Sequence, residues 1–302
     1  MPPRSDRFAV YAGLYAGLCF GIFWLPIRLI ESGGFSAPWA LVVFTGLPAL
    51  LCLPLAWRMR LDYARGGWEL AGGVLAGAAY ALYAGAMLYT DVVRAVLLFY
   101  LMPIWGFLLG WLILKERITW YQWLAIGLGV LGMVVVFTDD TGLPLPRNLG
   151  DWFGLVSGFL WAVGSLLILT ARRVRIATQA LNFFIVAAVL VIVVVLAGSA
   201  RGLIAPPDWG PLPGVLIWFV PVAVLLVLPA GFAAVFAPSR LNPGVVGLLF
   251  MMEIVIAAIT AALWAGEPFT WREIVGLPLI LSAGLVESVV VTFRRRSARS
   301  RA

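Results

Sequence analysis

The 302-residue chain has no histidine, and only 12% of its side chains are charged. The first absence removes imidazole as a metal ligand, as a proton relay and as the base behind a serine nucleophile. The second argues against a soluble fold. Soluble domains carry about 25% charged and about 45–50% apolar residues, whereas this chain is 63% apolar with a mean hydropathy of +1.03. Cysteine is scarce too, and Cys19 and Cys52 both stand inside apolar runs, so neither a disulfide framework nor a zinc site is expected. There is no P-loop, Rossmann glycine fingerprint or metal constellation. No cofactor is therefore expected, and no ATPase subunit is implied.

What the chain does have is hydrocarbon. Apolar runs fall at about 8–30, 37–57, 68–90, 93–114, 119–137, 151–170, 178–198, 214–236, 244–265 and 271–293. Each is close to the roughly 20 residues that a helix needs to cross a bilayer. The sequence thus predicts an all-α integral membrane protein of ten transmembrane helices, the first a retained helix and not a signal peptide. The net charge of +7 lies in short clusters between the runs, where it meets lipid headgroups and not nucleic acid. Only Arg28, Arg94, Arg147, Arg201 and Arg272 fall on one side of the alternating loops, leaving 16 of the 21 Lys and Arg residues on the other. The positive-inside rule then predicts both termini on the cytoplasmic side of an inner (plasma) membrane.

The chain also repeats. Gly13, Gly17, Gly21 and Trp24 of the first run recur as Gly150, Gly154, Gly158 and Trp161 of the sixth, at a constant offset of 137. Lys115-Glu116-Arg117-Ile118-Thr119-Trp120 after the fourth run recurs as Gly266-Glu267-Pro268-Phe269-Thr270-Trp271 after the ninth, at an offset of 151. The added 14 residues are assigned to the Pro-rich loop from Arg201 to Pro213. The expected units are residues 1–138, a joining loop at 139–150, residues 151–293 and a basic tail at 294–302. Five helices per unit is an odd number, so the units should be inverted, an arrangement that in transporters places the substrate between the halves near mid-bilayer.

Two five-helix units, a Gly-rich first helix carrying a Trp, and a Glu followed by a Thr beside aromatic residues after the fourth helix of each unit resemble the drug/metabolite transporter superfamily, EamA type. The extreme hydrophobicity and aromatic content look most like its YddG-type bacterial exporters of aromatic and other amino acids. The resemblance implies a basket in which the third, fourth, eighth and ninth helices, with the first and sixth, surround a central cavity.

The spans hold few groups able to do chemistry. Tyr80, Tyr83 and Met87 share a face of the third run, as do Tyr100, Ile104, Phe107 and Trp111 of the fourth. Hydrocarbon cannot satisfy a Tyr hydroxyl, so these faces should turn to protein or a wet cavity. Tyr80, Tyr83, Tyr100, Trp161 and Met251 are the expected substrate contacts. Glu253 is the acid nearest a span centre, and should be paired, protonated or open to water, as a proton or ammonium site or as a buried structural group. Its repeat equivalent is Met102, so no symmetric proton relay is expected. Gly13, Gly17 and Gly21, with Gly154 and Gly158, should pack helix against helix. Pro26, Pro103, Pro221, Pro229 and Pro278 should interrupt helices, Pro103 beside Tyr100 most usefully. Trp39, Trp68, Trp120, Tyr121, Trp123, Trp209 and Trp271 are expected in the interfacial belt.

The function expected from these residues is a secondary transporter exporting aromatic or other apolar amino acids and related small metabolites by alternating access. The alternative is an exporter of organic cations or drugs, with Glu253 as the negative partner. Anionic sugars are disfavoured, because the spans lack Lys and Arg at depth. A membrane-embedded enzyme is disfavoured because one isolated Glu offers no convergent catalytic cluster.

Overall fold

The structure is a computed structural model that describes residues 5–86, 89–90, 92–115, 118–137, 146–265, 271–272 and 274–283. All regular structure among them is helical. Glu116, Arg117, Glu267, Glu287, the Asp139-Asp140 pair, Met87, Asp91 and the basic tail lie outside the described residues, as does the side chain of Arg94.

The first run is split. Helix α1 (Ser5–Phe20) and α2 (Trp24–Ser32) flank a turn at Gly21, because Pro26 has no N–H to give the Ile22 carbonyl, which takes Leu25 N–H instead at 3.0 Å. Helix α3 (Ala37–Arg58) opens with Pro38 in its first turn. The short α4 (Arg60–Gly66) ends at Gly67, whose φ of 51° and ψ of −135° exclude a side chain. Helices α5 (Ala71–Ala86), α6 (Val92–Phe99), α7 (Met102–Ile113) and α8 (Trp120–Phe137) complete the first unit.

In the second unit, α9 (Leu149–Thr170) is N-capped by Asn148, which accepts from Asp151 N–H at 2.8 Å, and α10 (Ile176–Ala200) follows. Helices α11 (Leu212–Val222) and α12 (Leu228–Phe236) are joined through a π-helical turn at Ala223–Val227, set between Pro221 and Pro229. Helix α13 (Pro243–Phe250) begins at the expected cap Asn242, whose side chain accepts from Gly244 N–H at 2.8 Å. Helix α14 (Met252–Thr260) runs into a π-helical turn at Ala261–Ala265, and α15 (Ile274–Ala283) is last. Six stretches are long and apolar enough to cross a membrane: Arg7–Ser32, Ala37–Arg58, Leu149–Thr170, Ile176–Ala200, Leu212–Ser239 and Pro243–Trp264. Shorter apolar helices occur at Met102–Ile113, Trp120–Val135 and Ile274–Ala283.

The fourth and ninth runs break at positions related by the offset of 151, Tyr100 and Met251. The causes differ. Pro103 cannot donate to the Phe99 carbonyl, so the chain turns at Tyr100 and Leu101. At the second break no proline intervenes. The Phe250 carbonyl accepts the Tyr100 hydroxyl at 3.0 Å, and Ile254 N–H turns to Met251 O at 3.1 Å. A side chain from the first unit has entered the helical ladder of the second.

Packing is reciprocal. The glycine face of α1 lies against α13 and α14: a Cβ on Gly21 would come within 2.7 Å of the Glu253 carbonyl, and one on Gly13 within 2.9 Å of Leu249. The matching face of α9 lies against α6, where a Cβ on Gly154 would meet the Ala95 carbonyl at 2.9 Å and one on Gly158 would collide with that of Phe99. Thus the first helix of each unit seats on the fourth of the other. Where lipid supplies no hydrophobic force between helices, such backbone approach is what holds them. Glycines on α5 do the same against α9 and α10.

Three aromatic placements need correction. Trp39 and Tyr121 are buried instead of interfacial, while Trp111 is exposed instead of sharing the enclosed face of Tyr100 and Phe107. Trp39 is drawn inward because its N–H donates to the Ala205 carbonyl at 2.9 Å and its ring meets Trp209 edge to face. Trp111 stands one turn beyond Phe107 near the end of α7, where Leu112 and Ile113 are exposed as well.

Candidate functional site

A cavity of about 20 Å³ lies near the middles of α3, α5 and α10, with room for about one water. Its wall is aromatic: Phe20, Phe23, Phe44, Tyr80, Phe183 and Phe184, with Thr45 and Pro48 from α3 and Val227 and Gly231 from the second unit. Both units therefore contribute. The expected walls are only partly those observed, since the second and seventh runs line the cavity and the fourth, sixth and ninth do not.

Behind Tyr80 the polar groups gather. The Tyr100 hydroxyl is 2.6 Å from Glu253 Oε2, and the Tyr83 hydroxyl is 3.5 Å from Oε1. The Tyr83 ring lies over Phe99 at 4.4 Å between centroids, and Phe99 meets Tyr100 edge to face. Glu253 is thus held by two tyrosines reaching across from the first unit, and is not left against lipid. Tyr80 stands over Phe183 at 5.4 Å, and its hydroxyl has no hydrogen bond among the described residues. Trp161, 4% exposed, packs on Phe183 and Phe250, and its indole N–H has no partner among the described residues. Its repeat equivalent, Trp24, gives its N–H to Thr260 at 3.0 Å. The same offsets put Leu109 where Trp161 would find that threonine, which explains the orphan. Met251 follows Phe250, whose carbonyl accepts the Tyr100 hydroxyl. Its sulfur lies over Gly129 of α8, near enough that a Cβ there would sit 2.9 Å away.

The Arg-rich end is closed by a network that the sequence reading did not select. Glu69 Oε2 accepts the backbone N–H groups of Arg172, Arg173 and Val174 at 2.9, 2.6 and 3.3 Å, and Asp62 holds the Arg175 guanidinium at 2.7 and 2.9 Å and the Thr178 hydroxyl at 2.8 Å. Gln179 gives its amide to the Glu69 carbonyl at 2.6 Å and takes Gly73 N–H at 2.7 Å, and Asn182 reaches the Leu70 carbonyl at 3.2 Å. The backbone N–H of Arg173 above all holds the Glu69 carboxyl below the usual range, and the Arg175 guanidinium does the same for Asp62. The available signal was a pair of amides, Gln179 and Asn182, one helical turn apart in a run otherwise almost wholly apolar.

The opposite end closes on apolar surface. Gly33 and Gly34 abut Val215 and Pro211, and Phe35 and Trp39 pack on Trp209. In the first turn of α9, Asp151, fully buried, accepts the Thr90 hydroxyl at 2.6 Å and Arg147 N–H at 2.9 Å. Arg28 lies over the Trp24 ring at 5.7 Å.

Two like units, seated on one another around an aromatic cavity, match a known pattern. The EamA-like transporter family model covers residues 7–138 and again residues 148–286. The chain belongs to the EamA-like transporter family. As a member it is a multi-pass membrane protein of a transporter family. A solved protein described only as "Crystal structure of protein" superposes on this EamA-like chain with a TM-score of 0.66 at 18% identity, covering 93% of this chain and 96% of that one. At that identity the likeness is one of fold. No curated protein matches significantly.

Proposed function

We propose that the protein is a secondary transporter that exports amino acids with aromatic or other apolar side chains across a bacterial inner membrane, in the manner of the YddG-type branch. Ten spans in two inverted five-helix units, 1–138 and 151–293 joined by 139–150, would carry it, with both termini and the 294–302 tail cytoplasmic. The substrate would sit beside Tyr80, Tyr83, Tyr100 and Trp161, with Glu253 behind them.

The observation that carries this reading is the combination of an aromatic wall with an unpaired, buried indole N–H. An amphipathic zwitterion uses both: rings for its side chain, and the donors of Trp161 and Tyr80 for its carboxylate. Leaving that N–H without an acceptor costs about 1–3 kcal/mol, which a bound carboxylate would recover. The cavity is far smaller than any amino acid, so one of the two closed ends must part to admit substrate, as alternating access requires.

Glu253, bonded by two tyrosines, favours a second reading in which an organic cation lies against Tyr rings and a carboxylate. Counterflow in liposomes holding the purified protein separates the two. Labelled tryptophan, phenylalanine and leucine should exchange and saturate, and tetraphenylphosphonium should not. Exchange of the cation alone would select the second reading, and exchange of neither would end both.

A further inference from the structure

At the Arg-rich closure lies a second, larger cavity of about 480 Å³. Two separate stretches of chain bring basic groups to it: Arg172, Arg173 and Arg175 from the turn between α9 and α10, and Arg240 after α12, with Ser239 and Gln179 also in the lining. Arg172, Arg173 and Arg240 are exposed and enter no ion pair among the described residues. The acids nearest the wall are already engaged, Asp62 by the Arg175 guanidinium and Glu69 by backbone N–H groups. Four guanidiniums thus stand against two satisfied carboxylates. Beside them the lining turns apolar at Ile168, Val174 and Ile176.

We propose that this cavity binds a phosphate group, presented by the headgroup of an anionic phospholipid. Guanidinium matches phosphate in charge and in its two-point geometry. The position supports a lipid source, because the cavity lies where α9 ends and α10 begins, which the positive-inside reading puts at headgroup level, and its lining turns apolar beside the arginines. Basic clusters that serve only to set topology have no reason to converge on one open cavity with a serine and an amide. Bound there, a lipid would bridge the turn after α9 to the end of α12, two segments within the second unit. The inference does not depend on what the protein transports.

The test is lipid binding by native mass spectrometry, together with melting temperature in detergent, for the full chain with phosphatidylglycerol, phosphatidylcholine or soluble glycerol phosphate. Phosphatidylglycerol should bind and raise the melting temperature, and phosphatidylcholine should not. R172Q/R173Q/R240Q should weaken that binding by about fivefold per arginine. These changes keep the backbone N–H groups that Glu69 uses and leave the Asp62–Arg175 pair intact, so the fold should hold. The lysine versions retain charge without the fork and should fall between, which keeps the test open if the glutamine triple fails to fold. R58Q/R60Q/R65Q removes the same charge from the same end outside the cavity and should leave binding unchanged. An equal loss in both triples, or no loss in the first, would overturn the proposal. Stabilisation by glycerol phosphate as strong as by phosphatidylglycerol would overturn the lipid source and leave a site for soluble phosphate esters.

Discussion

Glu69 and Arg173, 104 residues apart in sequence, are joined by a 2.6 Å hydrogen bond from the Arg173 backbone N–H to the Glu69 carboxylate. The bond ties the turn before the third helix of one unit to the turn before the second helix of the other. By the repeat, its counterpart at the opposite end is the meeting of residues 33–39 with 205–215, where Trp39 gives its N–H to Ala205 and rings meet rings. The two closures are thus equivalent in topology and unlike in chemistry: carboxylates at the Arg-rich end, indoles and prolines at the other.

That difference predicts an acid-sensitive closure at the Arg-rich end. Glu69 has its carboxyl lowered by backbone donors, so it binds fewer protons folded than unfolded near its titration. Its contribution to stability is complete above the ordinary glutamate value of 4.5 and is lost as pH falls below it through the lowered value. Melting temperature should therefore drop on acidification, and Glu69→Gln should be less stable at neutral pH with a flatter acid limb. A cysteine at Ala180 should label faster in the variant. An unchanged acid limb would assign the pH dependence to other groups.

Close backbone approach yields a second prediction. A Cβ on Gly106 of α7 would collide with the Pro243–Gly244 backbone of α13, whereas one on Gly46 of α3 meets nothing within 4 Å. Gly106→Ala should destabilise by about 1–3 kcal/mol. Gly46→Ala should be neutral or stabilising by up to about 1 kcal/mol, because a helix interior favours Ala over Gly. Thermal melts in one detergent compare them directly, and equal melting temperatures would show that the α7–α13 crossing yields easily.

Much of this was legible in the sequence. Pro103 announced the break at Tyr100, and the cost of a mid-span carboxyl announced that Glu253 would find partners. The repeat placed Trp24 and Trp161 in like positions. What was not legible is rotation about helix axes. Where a helix is apolar on every side, periodicity cannot say which face turns inward, so Phe183 and Phe184 looked like any other hydrocarbon, and nothing in the sequence set the Met251 sulfur against Gly129 of α8. Glu69 stayed hidden for a related reason. A Glu at the head of a run reads as a local helix signal, and its actual partners lie more than 100 residues away.

The unpaired indole gives a third prediction, one that separates binding from packing. Trp161→Phe keeps an aromatic ring beside Phe183 and Phe250 but removes the orphan N–H. If the N–H waits for a substrate carboxylate, the variant should melt no lower than the parent while its KM for amino-acid counterflow rises about tenfold. Trp24→Phe, which breaks the bond to Thr260, should instead lower the melting temperature. An unchanged KM in Trp161→Phe would reduce that residue to packing.

Glu253 supports the last prediction through a count of protons. Tyr100 has one hydroxyl hydrogen and two close acceptors, the Phe250 carbonyl at 3.0 Å and Glu253 Oε2 at 2.6 Å. A carbonyl can only accept. If Tyr100 donates there, the short contact with Glu253 needs a hydrogen from the carboxyl itself, and a protonated Glu253 satisfies all three groups. A glutamine supplies that hydrogen from its amide, in nearly the same shape. Glu253→Gln should therefore keep the fold, the exchange of substrate at equal pH and whatever dependence on a pH gradient the parent shows. Glu253→Leu leaves Tyr83 without its partner and Tyr100 with the Phe250 carbonyl alone, and should lose about 1–3 kcal/mol of stability. Flux in proteoliposomes with and without a pH gradient decides the matter, because loss of gradient dependence in the Gln variant would make Glu253 a proton carrier and not a fixed hydrogen-bond donor. The first unit supports the fixed role: Met102, at the equivalent position, cannot titrate.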